Sequence, residues 1–355
     1  MSIRWADFPS GDTGLYGTTT SLMLSGIWAE TSSGTSIIED PDPNTTGNVL
    51  LCSGSRCRYV LPSAQNTVGI AARVWLPSIP STNATRPAIF QWRDGSNNVS
   101  LAVLVSPTGS LQVIRDVNFT GGTSTQIGET AGPVMTASAW RHVEIKVLWS
   151  TTVGTVTIKV EGVEVLALTG VNTGAANYAQ VAVGVSYSLV AVSFSTYFKD
   201  IVFWDGSGSV NNDFLSTVGV YYLRPTADVS TGWSRTSGST DWELLNESPP
   251  NDSGYIYAGD PPPAPSILNV EELPADIVGV RAILPVARAA KSDSGDGNLQ
   301  MSVSPNGTDW DAGADNAVST AFTYYYDVSE VSPDTAAAWT PVEVNALEFE
   351  LNRTV

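Results

Sequence analysis

Histidine occurs once, at His142, and cysteine twice, at Cys52 and Cys57, in a chain of 355 residues. One imidazole and two thiols cannot assemble a zinc site, and a Ser-His-Asp arrangement would rest on His142 alone. The cysteines enclose only four residues. A bridge needs them on facing strands; otherwise both stay free in a reducing cytoplasm. Folding is expected not to depend on them, so Ser at both positions should leave the melting temperature nearly unchanged. Lysine is confined to Lys146, Lys159, Lys199 and Lys291. With 17 bases against 35 acids and a net charge of −18, the chain lacks the clustered cations that contact with nucleic acid requires. No run of 18 apolar residues exists, which excludes a helical membrane span. The opening Met1-Ser2-Ile3-Arg4-Trp5-Ala6-Asp7 has no apolar segment of the kind a secretory signal carries, so synthesis in a cytoplasm is expected.

What the chain has is 42% hydrophobic residues, 31 Gly and 21 Pro, with only 15% charged. This is the composition of short strands and tight turns. Val68, Ile70, Ala72 and Val74 alternate with Gly69, Ala71, Arg73 and Trp75, and Val99 to Val105 keeps the same period of two. Ser106-Pro107-Thr108-Gly109 reads as a turn into Leu111 and Val113. In Trp140 to Trp149 one face carries Val143, Ile145, Val147 and Trp149, and the other His142, Glu144 and Lys146. Val156, Ile158 and Val160 enter a hairpin at Glu161-Gly162, and Phe198 to Trp204 is a last strand. In the second half, Val278, Val280 and Ala282 begin a strand, Leu299, Met301 and Val303 form another, and Tyr324 to Val328 and Leu347 to Leu351 close the pattern. Asp260 to Pro265 reads as an extended crossing, and Asn211 to Ser216 as a single helical turn.

Charge marks a division. Residues 1–204 hold 13 acids and 11 bases, whereas 205–355 hold 22 acids and 6 bases. The change falls beside Asp205-Gly206-Ser207-Gly208-Ser209, a domain border in composition. The expected fold class is all-β, with two β-sandwich, jelly-roll-like domains in tandem at 1–205 and 206–355 and very little helix.

The first part resembles laminin-G-like, or concanavalin A-like, jelly-roll domains. The resemblance lies in Gly109-Ser110-Leu111, in Ala139-Trp140-Arg141-His142-Val143-Glu144, in Val160-Glu161-Gly162-Val163 and in Phe198 to Asp205. The whole chain is similar to a group of bacteriophage virion proteins that pair such a sandwich with an acidic β-domain. That likeness is carried by Arg4-Trp5, Tyr16-Gly17, Met23-Leu24, Gly208 to Leu215, Ala289 to Asp293 and Trp339 to Ala346. It implies a structural, tail-associated or fibre-type virion component, and so a virion location.

Candidate chemistry is sparse. Glycoside hydrolysis needs two placed carboxylates. The Glu-x-Asp-x-x-Glu run of hydrolases resembling this fold is missing, and Glu144 and Glu164, near Lys146 and Lys159, read as solvated outer-face residues. No catalytic residues are expected. Gly206-Ser207-Gly208 lacks the Lys and the βαβ context of a phosphate loop. Asp309, Asp311 and Asp315 alternate around Gly313, and calcium is the only metal their oxygen ligands suit; no other cofactor is expected. A second acidic loop, at Asp293, Asp296 and Asn298, reads as a solvated turn. The loop from Trp92 through Asp94, Asn97 and Asn98 combines an aromatic face with polar tips, a candidate ligand site. Trp233, Trp242, Tyr255 and Tyr257 are further loop aromatics, while Trp140, Trp149 and Trp204 belong to strand patterns and to packing. The reading is a non-enzymatic binding protein. Its expected partners are other virion proteins, further copies of itself (a trimer favoured) and a host-surface glycan, with no nucleic acid and no membrane insertion. The alternatives are a capsid decoration protein and a polysaccharide depolymerase.

Overall fold

The alternating segments become strands because each can bury one face and hydrogen-bond along both edges. A computed structural model describes residues 3–7, 14–16, 30–31, 35–43, 48–116, 124–174, 177–184, 194–247 and 250–355. Gly17, Met23 and Leu24, part of the virion-protein likeness, lie outside the described residues. The described residues are nearly all β, with two short α-helices among them, Asp241–Leu245 and Pro341–Asn345. The residues gather into two compact units, the first ending at Val220 and the second running from Tyr221 to Val355.

The first unit holds two antiparallel sheets. In the nine-stranded sheet, Val163–Val171, Gly154–Val160, Arg141–Leu148, Thr67–Trp75, Ser195–Asp205, Asn48–Ser53, Thr35–Glu39 and Gly14–Tyr16 lie in that order, and Ile3–Asp7 also pairs with Ser195–Asp205. The seven-stranded sheet runs Thr125–Glu129, Leu111–Arg115, Val99–Val105, Ala88–Arg93, Tyr178–Gly184, Arg56–Gln65 and Glu30–Thr31. The sheets meet face to face. Phe90 lies 6.4 Å from Phe198, and Tyr59 stacks on Phe203 at 5.6 Å. Trp92, Phe90, Phe198 and Phe203 are fully buried between them, and a ring of this size contributes about 2 to 3 kcal/mol. The expected hairpin at Glu161-Gly162 is present with φ of 50° and 78°, the left-handed pair that fits the twist of its strands.

Cys52 and Cys57 form no disulfide and are buried, on strands of opposite sheets. Their setting now predicts a cost for the Ser replacements that the sequence alone did not. Cys52 is 1% exposed and Cys57 0%, and the Cys52 thiol points to the carbonyl of Val183 at 4.0 Å. Gly184, at φ +81°, lies so close that a Cβ there would stand 2.6 Å from Cys52 Cβ. A Ser at either position buries a hydroxyl in the sandwich, at a cost of about 1 to 3 kcal/mol.

Residues 206–220 do not link domains. They fold over the outer face of the nine-stranded sheet, so the unit runs past the expected border at Asp205. Leu215, 2% exposed, donates its N–H to the Glu144 carboxylate. Asp213 pairs with Lys146 at 2.9 Å, Phe214 lies 4.0 Å under Lys159 Nζ, and the Val220 N–H reaches Asp200 at 2.9 Å. No helical turn forms at 211–216; the backbone there is bound to the sheet's side chains instead. Trp204 crosses the same face flat against Gly69, where a Cβ would stand 2.0 Å from the indole.

The second unit is built on a six-stranded sheet ordered Pro225–Ser230, Ser266–Val270, Glu348–Arg353, Asn298–Ser304 and Asp311–Ala312, with Asn316–Ala317 also pairing to Asn298–Ser304. Leu268, Leu299, Met301 and Leu351 form a core on it, joined by Ile256. Val303, Trp339, Val344 and Leu347 form another. Helix Pro341–Asn345 is set by a capping box between Thr340 and Glu343, which aims Val344 into that second core. The expected strand at Val278 to Ala282 is not formed. Val280 packs on the second core, but Val278 is 98% exposed and no strand lies alongside. Alternation without a partner leaves an irregular crossing, joined to the fold by one bridge between Ile283 and Ser329.

Among the described residues, no helix is long and apolar enough to cross a membrane.

Candidate functional site

Two ribbons of the second unit place the side chains that matter. Ser234–Arg235 pairs with Ile256–Tyr257, and Val286–Ala289 pairs with Thr323–Tyr326. Successive side chains of a strand point to opposite faces. In the first ribbon Ile256 therefore enters the core, and its neighbours Tyr255 and Tyr257 turn outward, 38% and 48% exposed. In the second, Ala287, Ala289 and Tyr325 pack on the core. Arg288 and Tyr324, directly opposite each other in register, take the other face.

The outward rings meet. Tyr255 and Tyr257 lie 6.3 Å apart at 70°, and Phe322 lies 6.0 Å from Tyr255. The Arg288 guanidinium is set against both Phe322, at 5.6 Å, and Tyr324, at 5.3 Å. It is fixed there by Asp252, which accepts from Nε and Nη2 at 2.7 Å each. A fork of this kind is the strongest geometry for such a pair. It holds the Asp252 carboxyl below the usual carboxylate range, and burial pushes the Tyr324 hydroxyl up, out of the physiological range. The result is an angular surface shelf of three aromatic rings, Tyr257 and Phe322 tilted 70° and 58° to Tyr255, with the ion pair set against Phe322.

The other expected sites fall differently. Trp92 is not a loop aromatic: it ends inside the strand Ala88–Arg93, 0% exposed in the sandwich core. Asp94 accepts from the N–H groups of Ser96 and Asn98 and from the Asn98 amide. Asn97 accepts from Arg93. These polar groups hold their own turn together, and the aromatic face they were to accompany is absent from it. Trp233 and Trp242 also pack on a core, leaving Tyr255 and Tyr257 as the outward pair of that group.

Asp309, Asp311 and Asp315 do not converge. Asp309 accepts from Asn306 and Thr308 at one end of strand Asn298–Ser304; Asp315 accepts from Asn298 and Thr354 at the other. The ends of that strand are on the order of 20 Å apart, too far for one cation. Among the described residues no three His, Cys, Asp or Glu side chains gather as a metal site.

Glu144 and His142 are not solvated: each is 0% exposed, and Glu144 is capped by the N–H of Leu215. Neither ring nitrogen of His142 has a hydrogen-bond partner among the described residues, and burial, with Arg73 nearby, lowers its pKa to about 4. Glu164 is exposed, as expected.

Sequence reasoning named Tyr255 and Tyr257 but missed Phe322, Tyr324, Arg288 and Asp252. The signal lay in the period of two within Val286–Ala289 and Thr323–Tyr326, once those segments are known to pair.

No protein-family model matches the chain, and no curated protein matches it. Solved structures do. Carbohydrate-binding module CBM66 from Bacillus subtilis is 11% identical, with 51% of this chain and 98% of that one covered and a TM-score of 0.34. Domain 4 of AbnA, an extracellular arabinanase from Geobacillus stearothermophilus in complex with arabinotriose, is 14% identical over 56% of this chain and 93% of that one, at 0.34. Alginate lyase Aly36B is 13% identical over 58% and 96%, at 0.38. Likeness of this size carries neither ligand nor chemistry over to this chain.

Proposed function

We propose that the chain is a non-enzymatic component of a bacteriophage particle, tail-associated and repeated in the assembly as a homo-oligomer, that holds a glycan of the host surface. The glycan reading is carried by one observation, the shelf of Tyr255, Tyr257 and Phe322. Sugar rings stack their C–H faces on aromatic planes, and rings already fixed by packing lose little freedom when they do. The virion reading rests on the sequence resemblance stated above. Binding without cutting is supported by the burial of Glu144 and His142, the two groups a hydrolytic scheme would have used; both are 0% exposed, and Leu215 caps Glu144. A single shelf of this size binds weakly; repeated copies on a particle raise the effective concentration and make attachment firm.

The test is retention of the labelled chain on bacterial cells and on extracted envelope polysaccharide. Retention with no shortening of the polysaccharide is expected. Tyr255→Ala combined with Tyr257→Ala should weaken it at least about tenfold, roughly 1.4 kcal/mol, with the melting temperature nearly unchanged because both rings are half exposed. Shortening of the polymer, or no retention of the unaltered chain, overturns the reading.

A further inference from the structure

We infer that the shelf takes an uncharged glycan and that the Asp252 carboxylate accepts hydrogen bonds from its hydroxyls; this rests on the glycan reading above. The argument turns on which half of the Arg288–Asp252 pair solvent sees. The Arg288 side chain is 9% exposed and that of Asp252 38%. The guanidinium is lodged against Phe322 and Tyr324, and its Nε and Nη2 are spent on the two Asp252 oxygens. What the pair shows beside the rings is therefore carboxylate. Each carboxylate oxygen has two lone-pair directions. Arg288 uses one on each, and the others are left for donors approaching from solvent. Sugar hydroxyls are such donors, and bonds to an ionised acceptor are the stronger kind. Asp252 remains ionised because Arg288 favours its charged form.

A uronate, sulfate or phosphate group would meet the opposite. It has no hydroxyl proton to give at its charged end, and it faces Asp252 in a unit whose residues 221–355 hold 20 acids and 6 bases. Among the described residues of this unit Arg224 is also stacked on an aromatic, the Tyr222 ring at 5.6 Å. A carboxylate stands beside it too, since Glu271 accepts from the Arg224 backbone N–H at 3.0 Å.

The test is affinity electrophoresis of the full chain, whose net charge of −18 suits it to native gels. The gels contain dextran, mannan or galactomannan as neutral probes, and alginate or hyaluronan as anionic ones. Retardation by at least one neutral polymer is expected. It should change less than about twofold between about 50 and about 500 mM salt, because no ion pair with the ligand is screened. Asp252→Asn should weaken it by about tenfold or more. The double variant Asp252→Asn with Arg288→Met should do the same without leaving a buried guanidinium unpaired. Retardation by alginate or hyaluronan and by no neutral polymer overturns this inference and leaves the glycan reading standing. Neutral binding that both variants retain overturns the role of Asp252. No retardation by any polymer overturns the inference and the glycan reading together. The contrast between neutral and anionic probes is read on the unaltered chain, so it holds even if a variant fails to fold.

Discussion

His142 belongs by pattern to the face of its strand that should meet water, and it meets none. The alternation from Arg141 to Leu148 was legible in the sequence; the burial of its polar face was not, since Glu144 on that face is capped by Leu215, 71 positions away in a segment with no apolar period of its own. The burial has a measurable result. His142 is held neutral, with its pKa lowered to about 4 from 6.5. The unfolded chain binds a proton there at a higher pH than the folded one. Its contribution to stability is therefore whole above pH 6.5 and is lost as pH falls toward 4, by about 3 kcal/mol in all. Arg73, in register with His142, disfavours the imidazolium; Glu144 lies two residues on, across from Lys159. Asp200, bonded to Arg73 at 3.0 Å, acts in the other direction, since burial raises its carboxyl and favours the protonated form in the fold. Urea midpoints of the chain from pH 7 to 4 should fall, and His142→Gln should flatten the fall. Equal slopes for both chains would remove His142 as the cause. At this same scale Tyr255 and Tyr257 could be named from sequence as exposed aromatics. Asp252 and Arg288 could not, because their pairing spans 36 positions and two loops.

Among the elements, strands with an apolar period of two and a turn residue at each end were readable: Thr67–Trp75, Val99–Val105 and the hairpin through Glu161-Gly162 stand where the alternation put them. Two readings failed for opposite reasons. Val278 to Ala282 has the alternation but no neighbour to bond, and a strand is stable only as part of a sheet. Residues 206–220 lack any period, yet they are fixed by single bonds to Glu144, Lys146 and Asp200. The consequence is specific. A chain ending at Val220 should fold as a cooperative unit. One ending at Asp205 takes Leu215 from the 0%-exposed Glu144 and the Val220 N–H from Asp200 and should melt several degrees lower, or aggregate. Thermal melts of the two chains decide it; equal melting temperatures would mean that this segment only rests on the sheet.

For the molecule as a whole, composition gave the all-β class, since Gly, Pro and β-branched residues in quantity exclude long helices. The charge asymmetry pointed to a division but misplaced it. Only Asp205 and Asp213 among residues 205–220 carry charge, so acidity begins to rise before the first unit is complete. Proteolysis can locate the junction. Tyr221 and Tyr222 are 48% and 43% exposed and follow the last residue of the first unit. Mild chymotrypsin should cut there and give a nearly neutral fragment ending near residue 222 and a strongly acidic remainder, identified by mass. A dominant cut within 206–216 instead would show that the segment lies loose.

Gly69, with the Trp204 indole lying flat against it, has a bearing on heredity as well as on packing. One base change converts a glycine codon to alanine, and here the added methyl has nowhere to go without moving an indole that is itself fully enclosed. Overpacking of this kind costs about 1 to 3 kcal/mol, a loss that cool growth tolerates and warm growth does not. Codon 69 is thus where a heat-sensitive allele of this gene should arise, and suppressors of it should map to codon 204, where a smaller ring restores the space.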